Sequence, residues 1–170
     1  PGDPVTRFQN RNRSEADLPV ARQRIWEVLT DPGCLAALTP LIKDITADGD
    51  RWCWQLTGIS ALGVSVAPSF TERMVFTPTE RIEYHHEPPA GTTEKAGADG
   101  VYTLSDLPDG GTRLFIDLTM WVELPLPRLS RRAVERVMAE TMQRAGDRFA
   151  ANLYAHLGID PADVEIRVPA

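Results

Sequence analysis

Residues 130–157 read SRRAVERVMAETMQRAGDRFAANLYAHL, without a proline and with apolar residues at helical spacing. Val134, Val137, Met138, Thr141, Ala145, Phe149 and Leu153 fall on one stripe, the pattern of a long amphipathic helix. Ser130 stands where an N-cap is expected, and Gly158 where a left-handed C-terminal stop is expected. Gly146 interrupts this good helix-forming composition at a cost of about 1 kcal/mol relative to alanine. That cost predicts either a close crossing over another element or a bend. A stripe this long needs a broad apolar surface to cover it.

The segment from Leu41 to Val122 supplies that surface as strands. Trp52, Trp54 and Leu56 alternate with Arg51, Cys53 and Gln55. Phe70, Glu72, Met74 and Phe76 alternate with Thr71, Arg73 and Val75, and Ile82, Tyr84 and His86 with Arg81, Glu83 and His85. Tyr102 and Leu104 continue the pattern, as do Leu114, Ile116, Leu118 and Met120. Period-two alternation with one apolar face is that of an antiparallel sheet packed on one side. Pro78-Thr79 and Pro108-Asp109-Gly110-Gly111 read as hairpin turns. The polar stretch Pro88–Asp99 reads as a mobile loop and a candidate lid.

Ahead of these strands, Val5 to Asn12 suits a first strand. Val20–Thr30 suits a helix with Ile25, Trp26, Val28 and Leu29 on one side. A second short helix begins at Asp31-Pro32, where Asp caps and Pro occupies the first helical position, and it ends by Pro40. The order is α+β: a curved antiparallel sheet of about seven strands around a long C-terminal helix, with two short helices after strand 1. Residues 1–160 are read as one domain and 161–170 as a C-terminal tail.

The chain has 170 residues, a formal charge of −6, 42% hydrophobic residues and 25% charged residues. This suits one globular domain. The acidic balance argues against a nucleic-acid binder. No apolar run reaches the ~20 residues of a membrane span. Cys34 and Cys53 form no CxxC pair, and two isolated thiols suit a reducing, cytoplasmic setting. The four arginines Arg128, Arg131, Arg132 and Arg136 leave room for transient contact with anionic lipid, although a solvated helix end explains them as well.

Parity fixes one site argument. If Phe76 and Ile82 both face inward, a three-residue loop at Pro78–Glu80 pairs them, and Met74 then lies opposite Tyr84 and Glu72 opposite His86. A one-residue slip would turn one strand's apolar set outward. A buried carboxylate beside an imidazole is a candidate acid–base pair, or a rim ion pair that orients a ligand. His85 and His86 are neighbours on a strand and point to opposite faces, so they make a poor metal site. No metal or other cofactor is expected. Trp52, Trp54, Phe70, Met74, Tyr84, Tyr102, Ile116, Met120, Met138, Thr141 and Met142 are the candidate lining of an apolar pocket, with plain core as the competing reading for each.

Three fragments carry a family resemblance. Leu18-Pro19-Val20-Ala21 followed by Ile25-Trp26-Glu27-Val28-Leu29-Thr30-Asp31-Pro32 resembles the opening of the START-like or SRPBCC superfamily, which has the helix-grip fold. Val75-Phe76-Thr77-Pro78-Thr79-Glu80-Arg81-Ile82 is similar to its central hairpin. Leu107-Pro108-Asp109-Gly110-Gly111-Thr112-Arg113-Leu114 is similar to its turn into the last long strand. The resemblance implies a cavity between sheet and final helix that binds a small hydrophobic molecule such as a lipid, polyketide or isoprenoid. It supplies no universal catalytic motif. Within it, a polyketide cyclase or aromatase would use Glu72 and His86 to move protons. A non-catalytic interaction domain with a filled core is the third reading.

Overall fold

The computed structural model describes residues 4–170. In chain order these form β1 (Thr6–Leu18), α1 (Arg22–Leu29), α2 (Pro32–Leu38), β2 (Ile42–Asp48), β3 (Arg51–Leu56), β4 (Ile59–Ala61), β5 (Val64–Val66), β6 (Ser69–Thr77), β7 (Arg81–His86), β8 (Ala96–Asp106), β9 (Thr112–Leu124), α3 (Arg131–Leu157) and β10 (Glu165–Arg167). Eight strands make one antiparallel sheet in the order β10-β1-β9-β8-β7-β6-β3-β2. The β4–β5 hairpin stands apart as a two-stranded ribbon. This is the helix-grip arrangement: a large antiparallel sheet, two short helices after the first strand, and one long closing helix.

Dimensions explain the match of helix to sheet. α3 has 27 residues, and β1 and β9 have 13 each. At ~1.5 Å and ~3.3 Å per residue, all three are about 40 Å long. α3 comes closest to β1 and α2 and stands off from the remaining strands. Phe8, Ile25, Leu29 and Ile82 join Val134 and Leu153 of α3 among the fully buried members of one continuous core.

The β6–β7 register follows from alternation. Phe76 pairs with Ile82, Met74 with Tyr84 and Glu72 with His86. Thr79 takes a positive φ of 60° at the turn. Asp31 caps α2 by accepting from Cys34 N at 3.1 Å. Gly158 stops α3 in the left-handed conformation, at φ 70°.

Four local readings change. Ser130 precedes α3 without capping it, because its hydroxyl donates to Pro127 O instead. Gly146 does not serve a close crossing: the helix continues through it, and a Cβ there would meet no neighbouring atom within 4 Å. The stretch read as a mobile loop over residues 88–99 is shorter, since β8 begins at Ala96 and pairs with β9 from there. The expected tail is also structured. Asp160 caps a short turn by accepting from Ala162 N, and β10 then pairs with the end of β1.

Charge fixes that added edge strand. Arg113 makes a two-pronged contact with Asp17, at 2.7 and 3.0 Å, and Arg167 of β10 reaches the same carboxylate at 3.1 Å. The Arg113 guanidinium, helped by Arg167, holds the Asp17 carboxyl below its ordinary range against the opposing effect of burial. A depressed folded-state pKa stabilises the fold above the unfolded pKa, and that stability is lost as pH falls through the folded value. Asp17→Asn is therefore expected to lower Tm at pH 7 by about 2–4 °C, the shift for roughly 1 kcal/mol in a chain of this size. In thermal melts across pH 2–7 the difference should shrink at the acid end.

Candidate functional site

Because α3 stands off from the middle of the sheet, a cavity of about 430 Å³ lies between them. Its floor comes from the inward positions of β9, namely Leu114, Ile116, Leu118, Met120 and Val122. α3 supplies the roof, including Val134, Met138, Thr141, Ala145 and Phe149. Leu41, Ile42 and the β4–β5 hairpin close one side. Leu41 holds a positive φ of 69°, unusual for a non-glycine residue, and its carbonyl accepts from Thr57 N at 2.8 Å.

Of the residues singled out by sequence, Tyr102, Ile116, Met120, Met138, Thr141 and Met142 line this cavity. Trp52, Trp54, Phe70, Met74 and Tyr84 do not; they are buried core on β3, β6 and β7. The difference is position across the sheet. Alternation specifies the face, but the cavity sits mainly over β9 and β1, reaching β3 only at its last residue, Leu56, and β6 not at all. The hairpin residues Ile59, Ala61, Val64 and Val66, which also line it, were missed. Their signal was a short alternation about Leu62-Gly63, where both residues take positive φ.

Behind Tyr102 lies a polar pocket of the core. Tyr84 and Tyr102 rings pack with centroids 5.4 Å apart. Glu72 is 2% exposed, and its Oε2, Trp54 Nε1 and Tyr84 Oη are all buried without a hydrogen-bond partner among the described residues. Burial, reinforced by the charge of Asp99, pushes the Glu72 carboxyl well above its ordinary range, and the nearby Trp54 indole offsets this only in part. Burial likewise raises both tyrosine hydroxyls, and Glu72 adds to the effect on each. Burial therefore favours the neutral acid, since an isolated ionised carboxylate is costly in the interior.

The expected Glu72–His86 pair does not form. The two are cross-strand neighbours, but no hydrogen bond or ion pair joins them among the described residues. His86 Nε2 instead meets Glu94 Oε1 at 2.9 Å, and the ring packs edge-on to Trp121 at 5.0 Å. Gly97 makes this placement fit: a Cβ there would lie 2.7 Å from both His86 Cγ and Trp121 Nε1. On Trp121, Arg7 stacks 3.7 Å from the ring centroid. Glu94 also accepts from Thr71 N and Thr71 Oγ1, both at 2.9 Å. The segment between β7 and β8 is thus pinned at Glu94. Neither Glu72 nor His86 lines the cavity. No group of three His, Cys, Asp or Glu among the described residues is placed to hold a metal ion.

Fold and cavity together define a helix-grip protein with an internal apolar chamber. Comparisons with solved structures agree on the fold. The Zhui aromatase/cyclase from Streptomyces sp. R1128 superposes with a TM-score of 0.58 at 14% identity, covering 90% of this chain and 93% of that one. A conserved protein from Geobacillus kaustophilus gives 0.60 at 15% identity, over 92% and 100%. TTHA0849 from Thermus thermophilus gives 0.58 at 15%, over 89% and 99%. No family model matches the sequence, and no curated protein matches it. At these identities the likeness concerns the fold. No helix among the described residues is long and apolar enough to cross a membrane.

Two measurements check this geometry. A raised carboxyl pKa costs stability above the unfolded value of about 4.3, and the cost grows until pH reaches the folded value. Glu72→Gln should therefore gain Tm over the parent protein as pH rises above the unfolded value, with the smallest difference at the acid end. Glu94→Ala removes three hydrogen bonds, so limited proteolysis should cut the 87–95 segment faster. Its stability should fall by about 1–3 kcal/mol in denaturant unfolding.

Proposed function

We propose that the protein binds one small, uncharged hydrophobic molecule, of lipid, polyketide or isoprenoid type, between the sheet and α3. The single observation that carries this reading is the cavity of about 430 Å³ with an overwhelmingly apolar wall. That volume falls within the ~300–1,000 Å³ typical of small-molecule sites. A chain selected only for stability would fill such a space, because unfilled apolar volume is destabilising.

The chemistry of the wall supports a neutral guest. Its charged members are Arg13, Glu15, Asp147 and Arg167. Each has a partner: Arg13 lies 3.9 Å from Asp117, Arg167 reaches Glu15 and Asp17, and Asp147 accepts from Gln143 at 2.9 Å. Tyr102 and Thr141 are hydroxyl-bearing members of the wall and the candidates for orienting a guest by one polar group. Affinity would come mainly from apolar burial.

A cyclase remains compatible with the fold but loses the acid–base pair on which that reading rested, because His86 is engaged by Glu94. The filled-core reading is disfavoured by the open volume.

Titration with the uncharged fluorophore N-phenyl-1-naphthylamine tests the binding reading. The parent protein should bind it with a fluorescence rise. Ile116→Trp, which extends an indole into the chamber, should weaken binding by about tenfold or more, equivalent to at least ~1.4 kcal/mol. His86→Ala should leave affinity within about twofold, since the ring lies outside the wall. Equal losses in both variants would contradict this placement of the site.

A further inference from the structure

Gly146 has no explanation within the packing of the protein itself. The helix passes through it, and the space where its side chain would be is open. Yet it belongs to the cavity wall and is exposed. Wall residues elsewhere are buried or half-buried. The exposed ones are Arg13, Ser14, Gln143, Gly146, Asp147 and Ile166, and all lie along one seam between α3 and the β1–β10 edge.

Hydrogen bonds show where that seam is closed. Arg131 Nη1 donates to Arg7 O at 3.1 Å, and Gln9 N to Glu135 Oε1 at 3.2 Å. Asn12 Nδ2 to Gln143 Oε1, at 3.3 Å, is the last such bond along β1 among the described residues. Beyond it, β1 and α3 carry no further link among those residues, and Gly146 lies one helical turn past Gln143. The bare glycine therefore faces the stretch where the chamber meets solvent.

We propose that this seam is the entrance of the chamber and that Gly146 sets the girth of what can pass. The inference rests on the binding reading above. A side chain at 146 narrows the passage without altering the interior, so it slows entry and exit together and changes equilibrium affinity much less. The glycine costs helix stability, and the passage needs its missing side chain.

Stopped-flow mixing with N-phenyl-1-naphthylamine separates the outcomes. Gly146→Leu should lower association and dissociation rates by about tenfold each, with Kd changed less than about threefold and Tm raised by a few degrees. Gly146→Ala should show the same Tm gain with a smaller kinetic effect. Leu62→Trp, at the exposed tip of the β4–β5 hairpin on another side of the chamber, should leave both rates unchanged. Rates within about twofold of the parent in Gly146→Leu, or slowing by Leu62→Trp instead, would overturn the entrance. A parent protein that fails to bind the fluorophore would instead overturn the binding reading itself.

Discussion

The separation between α3 and the middle of the sheet is the constraint on which the rest depends. α3 approaches β1 and α2 but stands off from β8 and β9. The inward residues of β9 and the stripe of α3 therefore face each other across a gap they do not fill. Apolar alternation along β9 makes the floor greasy, and the helical stripe makes the roof greasy. The Leu41 turn and the β4–β5 hairpin close a side that the sheet leaves open. The chamber is thus a consequence of length and spacing: three elements of about 40 Å held together at one edge and apart elsewhere.

The same geometry explains what could be read from the residues and what could not. The long helix was legible because its stripe is continuous and its C-terminal glycine unambiguous. The β6–β7 register was legible because parity leaves no freedom once Phe76 and Ile82 are both placed inward. Cavity membership was only half legible. Alternation assigns Trp54 and Ile116 to one face alike, but only a tertiary arrangement says that α3 stands off above β9 and that the region around Trp54 is packed core. The rotation of His86 toward Glu94 was hidden for a similar reason. It depends on Gly97 of β8 leaving room beside Trp121 of β9, a side-chain contact across neighbouring strands that alternation does not specify. β10 was invisible because three residues carry too little alternation, and its anchoring is ionic, through Arg167.

Glu72 stands out as a cost within this frame. The Glu72 carboxyl, whose neutral form burial favours, sits near Trp54 Nε1 and Tyr84 Oη, and among the described residues its Oε2 and those two atoms have no hydrogen-bond partner. Buried polar groups in this state are rare and destabilising. The cluster borders the chamber through Tyr102, whose ring packs on Tyr84. A guest whose polar end reaches Tyr102 would meet a wall backed by hydrogen-bonding capacity rather than by hydrocarbon. That is a physical basis for selecting oriented, singly polar guests over pure hydrocarbons.

Native mass spectrometry of the purified protein, followed by denaturing extraction, tests the central claim most directly. The account predicts a one-to-one complex that releases a neutral, predominantly apolar molecule of a size the chamber accommodates, or a protein that takes up such a molecule when it is supplied. A protein that is empty as purified and remains at its bare mass with every apolar molecule offered would contradict it.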